Sequence, residues 1–205
     1  MTEPRSGPLA GIRILEVGHI LAGPFGGMLL ADLGADVIKI EPPTGDSTRQ
    51  MPGAVGADSP SFNAVNRGKR SVVLNLKSSE GRAVFTRLAR STDILIENYR
   101  PGVMDALGLG YEALAGLNPR LIYASISGYG QTGPQRTKGG FDLIAQGVSG
   151  IMSITGEPGG PPVKAGVPLT DLSAGLFALV GILAALESRH RTGVGQQVDL
   201  SLIHI

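Results

Sequence analysis

The chain has no cysteine and no tryptophan in its 205 residues, and only three histidines, at positions 19, 190 and 204. The missing thiols exclude disulfides, thiol nucleophiles and cysteine-based zinc sites, and they fit a cytoplasmic protein. An excess of either charge is missing too: eighteen basic residues against seventeen acidic ones leave a net charge of +1. A nucleic-acid-binding surface carries a concentrated basic excess, so no nucleic-acid partner is expected. The opening residues, MTEPRSGPLAG, lack the apolar core of a signal peptide. The longest uncharged apolar segment, Leu172–Leu186, has fifteen residues, fewer than the ~20 that span a bilayer. No membrane partner is expected.

What is abundant is glycine and proline, at 31 and 14 residues. They fall mainly between periodic segments, which is the pattern of an enzyme with long functional loops. Ile12–Val17, helical Pro24–Leu33 and Val37–Ile40 read as strand, helix, strand, a βαβ unit that implies a parallel sheet. Further strands are read at Ser71–Leu76, Asp93–Glu97, Leu121–Ile126 and Gln197–Leu202. Further helices are read at Ser79–Arg90, Val103–Leu107 and Phe141–Ile151. Glu41–Phe62, with four prolines and three glycines, reads as a surface loop. The fold class is α/β, Rossmann-like, a mainly parallel sheet flanked by helices, with 1–10 a flexible N-terminus and 11–205 one large domain.

The loop after the first strand, GHILAGPFGG, lies where open α/β sheets bind ligands. It lacks the GxGxxG spacing of a dinucleotide site, and no GxxxxGK[ST] occurs anywhere, so NAD and P-loop readings are disfavoured. No Ser-His-Asp or His-metal constellation can be assembled by spacing, and no metal is expected. His190 reads as a surface residue, while His19 sits where it could line a site. Arg67, Lys69, Arg70 and Lys77 form a cluster that either receives phosphates or is merely solvated.

Carboxylates remain as candidates. Asp171 stands between the loop Gly156–Pro168 and the uncharged segment 172–186, whose eight large apolar side chains place it in the interior. An aspartate there is either an N-cap of the following helix or an ionised nucleophile at the mouth of a buried helix. Asp142, at the start of another helix, would converge with it on one cleft if both helices face the carboxyl ends of the strands.

The runs LAGPFGGMLLADLGADVIKIEPPTGDSTR, NRGKRSVVLNLKSSEGR, ENYRPGVMDALGLGY, GYGQTGP and TDLSAGLFALVGILAALESRHRTGVGQQVDLSL together resemble the class III CoA-transferases, the formyl-CoA transferase or CaiB/BaiF family. The resemblance implies a Rossmann-like large domain that binds CoA, with Asp171 of TDLSAG as the nucleophile. It implies an aspartyl anhydride, then an aspartyl-CoA thioester, with acyl-CoA and a small carboxylic acid as substrates. CoA contacts carry over to Leu21 and Ala22, to Leu74, Asn75, Leu76 and Lys77, to Asn98, Tyr99 and Arg100, and to Gly139, Gly140, Phe141 and Asp142. Pro42 and Ala106 stand where some members have CoA-contacting arginines, so other cations would hold the phosphates. Leu21 replaces a glutamine of formyl-CoA transferases, which points away from oxalate or formate; some members similar to this chain use succinyl-CoA and a small dicarboxylate, and the resemblance makes those the expected substrates.

Related α-methylacyl-CoA racemases use a histidine where this chain has Phe141, and phenylalanine cannot take a proton from a carbon acid. The racemase is therefore the second reading, and an inactive CoA-binding fragment the third. Family members are about twice as long and form interlocked dimers, so the resemblance implies a truncated large domain without the smaller second domain. A homodimer is expected at full length, and 205 residues alone are expected to be inactive.

Overall fold

Ile14, Leu15, Ile94, Leu95, Ile96 and Ile122 are wholly excluded from solvent, because strands apolar on both faces need helices on both. The computed structural model, which describes residues 6–54, 56 and 58–204, meets that need with one parallel sheet between two helical layers. The strands are β1 (Arg13–Val17), β2 (Asp36–Glu41), β3 (Arg70–Val73), β4 (Ile94–Glu97), β5 (Ile122–Ser127) and β6 (Gln197–Ser201). They lie in the order β3-β2-β1-β4-β5-β6, every neighbouring pair parallel. The helices are α1 (Ala22–Asp32), α2 (Pro60–Asn66), α3 (Ser79–Ala89), α4 (Val103–Ala106), α5 (Tyr111–Leu117), α6 (Asp142–Val148) and α7 (Leu169–Thr192).

Alternation along the strands divides the core. Ile14, Ile94, Ile96 and Ile122 pack with Leu30 of α1 and with Ala174, Ala178 and Ile182 of α7. Leu15, Leu95 and Tyr123 pack on the other face with Phe85 of α3, Met104 of α4 and Leu114 of α5. Strand order reverses between β1 and β4, so the loops leaving those two strands diverge and open a crevice at their carboxyl ends.

Several sequence expectations are corrected here. The stretch read as a loop from 41 to 62 contains a 3-10 turn at Ser47–Gln50 and the start of α2, capped by Ser59 and begun by Pro60. The third strand stops at Val73 with all four residues exposed, because it is the sheet's edge. Helix α5 was not expected. Residues 7–10 are anchored, since Leu9 is buried and its N–H donates to Leu33 O at 3.0 Å; residues 1–5 of the expected flexible N-terminus lie outside the described residues.

The largest corrections concern α7. It begins at Leu169 with Pro168 as N-cap, so Asp171 is its third residue and not its cap. Its interior placement is also one-sided. Ala174, Ala178, Ile182, Ala185 and Leu186 are buried, while Leu176, Phe177, Val180 and Leu183 are exposed. A helix lying on a sheet buries one stripe, and no described element covers the other. At 24 residues α7 is long and apolar enough, by length and composition, to cross a membrane, but here it covers the sheet against α1, β5 and β6.

The contact of α7 with α1 is backbone on backbone. A Cβ at Gly175 would stand 2.9 Å from Ala22 O and 2.9 Å from Phe25 Cδ1, and one at Gly26 would stand 3.2 Å from Gly175 O. Gly175→Ala therefore sets a helix-propensity gain of about 1 kcal/mol against overlap with a fixed carbonyl. Overpacking costs about 1–3 kcal/mol, so thermal denaturation should show a lower Tm. Gly116→Ala in α5, where an added Cβ meets nothing within 4 Å, should leave Tm unchanged or raised.

Candidate functional site

The first wall of the crevice is fixed by buried charge. Glu16 on β1 is fully buried and pairs with Lys39 of β2 at 3.0 Å and Lys69 at 2.7 Å. Lys39 also meets Asp46 at 2.9 Å and donates to Gly18 O at 2.8 Å. Burial works against the charged Lys39, but Glu16 and Asp46 outweigh it and hold its pKa above the usual lysine value. Burial pushes Lys69 down to about 8 despite Glu16. The carbonyl held by Lys39 starts the loop that leads into α1.

That loop is tied across the switch point. Asn98, after β4, accepts the His19 N–H and donates to His19 O, both at 2.8 Å. Ile20 then adopts φ +65°, the left-handed region that a β-branched residue rarely enters. The turn directs Leu21 and Ala22 to the mouth of the crevice. By helix geometry the first N–H groups of α1 have no intrahelical partner there. The opposite side follows β4, where Glu97 accepts the Tyr99 N–H at 2.9 Å; burial pushes the Glu97 carboxyl up to about 7.

The third wall comes from the glycine loop before α6. Gly128 and Gly140 approach so closely that a Cβ on either would lie 2.5 Å or less from the other's Cα. Phe141 and Asp142 follow at once. Asp142 Oδ1 accepts from Thr170 N and from Thr170 Oγ1, both at 2.8 Å, and lies 3.4 Å from Asp171 N. Its Oδ2 accepts from Gln146 Nε2 at 2.7 Å. Asp142 thus supplies in space the cap that Pro168 cannot give α7.

Asp171 lines this crevice together with Leu21, Ala22, Asn98, Tyr99, Arg100, Gly140 and Phe141. Burial first, and the neighbouring Asp142 second, raise its pKa to about 6, well above the ordinary value that the sequence suggested. It is still mostly ionised at neutral pH, and more basic than a free aspartate. Gly139 is not on the crevice wall but beneath Arg100, where a Cβ would stand 2.9 Å from a guanidinium nitrogen. Asp142 is turned to α7 in the same way, away from the open space.

Leu74, Asn75, Leu76 and Lys77 line a second, apolar cavity of about 530 Å³, and Tyr99 lines both this and the first. Pro42 and Ala106 line it as well. Of the four-residue basic cluster, Arg67 pairs with Asp32, Arg70 with Asp36 at 2.6 Å and Lys69 with Glu16. Only the Lys77 ammonium is left to face a ligand. Sequence reasoning overlooked Lys138, which also lines the Asp171 crevice; its place in a glycine-rich loop was the available signal. Among the described residues no group of three or more His, Asp or Glu side chains is placed to hold a metal.

Strand order, the crevice between the β1 and β4 loops, and a half-buried carboxylate in the first turn of a long helix define a doubly wound α/β protein built to take a ligand at its switch point. The sequence model of CoA-transferase family III matches residues 9–205, and the chain belongs to that family. It is 52% identical over 198 residues to an acetyl-CoA:oxalate CoA-transferase of Acetobacter aceti, covering 96% of this chain and 51% of that protein. It is 48% identical to a succinate–glutarate CoA-transferase of Agrobacterium fabrum, covering 98% of this chain and 52% of that one. A crystal structure of a CaiB/BaiF family protein from Brucella suis superposes with a TM-score of 0.94 at 45% identity, over 97% of this chain and 54% of that one. The chain spans about half the length of the curated relatives it matches.

The Asp142 charge is one cause of the high Asp171 pKa. Asp142→Asn keeps an oxygen for the Thr170 N–H and removes the charge, so the Asp171 carboxyl should titrate below about 6 in a carbon-13 NMR titration. An unchanged midpoint would mean that burial alone sets it.

Proposed function

We propose that this chain is the CoA-binding, catalytic part of an acyl-CoA:carboxylate CoA-transferase that works through covalent intermediates on Asp171. The observation that carries the reading is Asp171 itself, a half-buried carboxylate with pKa about 6, in the crevice that Leu21 and Ala22 line at the start of α1. A carboxylate taken out of water and raised in basicity is a better nucleophile than one in bulk solvent. Helix N–H groups opposite it suit the oxyanion that its attack creates.

In this reading an Asp171 oxygen attacks the thioester carbonyl of the donor acyl-CoA, and the C–S bond breaks. CoA leaves as thiolate, and Asp171 holds the acyl group as a mixed anhydride. The thiolate then attacks the aspartyl carbonyl, which releases the donor acid as carboxylate and leaves an aspartyl-CoA thioester. An acceptor carboxylate attacks that thioester, giving a second anhydride and thiolate again. Attack of the thiolate on the acceptor's carbonyl yields the new acyl-CoA and regenerates the Asp171 carboxylate. No net proton is taken up or released.

The cavity around Leu74–Lys77 suits an adenine by size and apolarity, with Lys77 beside it for phosphate. Arg100 and Lys138, on the wall of the Asp171 crevice, suit the second carboxylate of a small dicarboxylic acid. Oxalate and glutarate, in the printed names of the relatives, are both of that class; succinyl-CoA is the donor we propose. Phe141 in place of a basic side chain disfavours racemisation. A homodimer, with the exposed face of α7 covered by protein, and a cytoplasmic location complete the proposal.

Asp171→Asn tests it, in a form that also supplies the half of the relatives' length that this chain does not span. Transfer between succinyl-CoA and dicarboxylates should be abolished, and wild type incubated with acyl-CoA and hydroxylamine should carry a hydroxamate at Asp171 by peptide mass spectrometry. Labelling at Asp142, or an active Asn variant, would remove Asp171 as nucleophile.

Stability should move the other way. The folded pKa of about 6 exceeds the ordinary 3.8, so the folded state binds the extra proton between those values and loses stability as pH rises through them. Asp171→Asn should therefore have a Tm at pH 7.5 no lower than wild type, with any gain vanishing near pH 4. The wild-type transfer rate should climb through about pH 6 as Asp171 ionises.

A further inference from the structure

His19 is held with unusual firmness for a loop residue. Its backbone is clamped on both sides by Asn98, and its ring lies 5.2 Å from that of Tyr99, tilted by 38°. The next residue, Ile20, keeps a left-handed backbone, a conformation that costs about 1–3 kcal/mol and persists at sites where geometry matters. Neither ring nitrogen has a protein partner among the described residues, and Nδ1 is completely buried. His19 lines both the Asp171 crevice and the adjoining cavity of Lys39, Glu41 and Asp46, and with Nδ1 buried it is the Nε2 edge of the ring that is left to meet open space.

A neutral imidazole has one proton to place. Put on Nδ1, it would be a buried N–H without an acceptor, a rarer and costlier state than a buried lone pair. The proton therefore belongs on Nε2. A second proton is resisted by burial and by Lys39, although Asp46 favours it, and the net pKa is lowered. The other charged residues lining the two cavities that His19 lines are Glu41 in one and Asp171, Arg100 and Lys138 in the other.

Resting on the CoA-transferase reading, we propose that His19 acts as a neutral hydrogen-bond donor through Nε2–H to the carbonyl oxygen of the acyl group bound beside Asp171. The role differs from general acid–base catalysis. The ring keeps its proton, no bond to it is made or broken, and the same donor serves thioester and anhydride in turn. Together with the first N–H groups of α1 it supplies a second direction of support for the negative oxygen.

Imidazole nitrogen-15 spectra of the 205-residue chain test this directly, with the His19 signals assigned from a His19→Phe variant and a His19→Gln variant as a second control of folding. The expected result is the Nε2–H tautomer at pH 7, with a pKa below 6.5. Acetyl-CoA added to Asp171→Asn, which cannot react, should shift the His19 Nε2 signal and leave His190 unmoved. The Nδ1–H tautomer would overturn the proposal. A thioester that shifts the amides of Leu74–Lys77 but not His19 would overturn it alone, whereas one that shifts neither set would overturn it together with the CoA reading.

Discussion

The site depends on one close approach, the crossing of α1 and α7 at Gly26 and Gly175. With no side chain on either residue, the backbones meet, Gly26 within 3.2 Å of the Gly175 carbonyl as measured from its absent Cβ. Asp171 sits one turn before Gly175, and Ala22 one turn before Gly26. Backbone contact at the glycines therefore sets the distance between the carboxylate and the start of α1. A methyl at either place would wedge the helices apart and widen the crevice at its Asp171 end, because packed interiors do not yield smoothly.

Around that crossing the charged groups are divided by role. Glu16, Lys39, Asp46 and Lys69 neutralise one another under the first loop. Such pairs are costly to bury and serve to fix position more than to stabilise. Asp142 is spent on the first turn of α7. Its charge also reaches Asp171, so a structural cap doubles as the second cause of the raised Asp171 pKa. Arg100, Lys138 and Lys77 lack ion-pair partners among the described residues, and all three line the two cavities. The four charges under the first loop are paired, and the cations that line the two cavities are free for a ligand.

Much of this was legible in the chain itself. Short continuous apolar runs gave most of the strands, because a parallel strand covered on both faces must be apolar throughout. Glycine-rich loops marked where backbone would approach a ligand, and the absences of cysteine and of nucleotide-binding spacings removed whole classes of chemistry. What failed is equally informative. Asp171 looked like an N-cap because Pro168 could not be recognised as the helix boundary while the true cap, Asp142, lies 29 residues away in sequence. The basic cluster looked free for phosphate because its partners Asp32, Asp36 and Glu16 come from other elements.

The sequence by itself determined the α/β class, the βαβ start, the family and the aspartate that opens α7, since all of these rest on local pattern or on ordered motifs. Tertiary structure alone decided that His19 and Asp171 line one crevice, that Asp142 caps a distant helix, that Asp171 is raised to about 6, and that one face of α7 is left bare by the described residues. Each of these is set by distance between groups remote in the chain. Burial and Coulomb interaction depend on those distances and on what excludes water, and neither is a property of neighbouring residues.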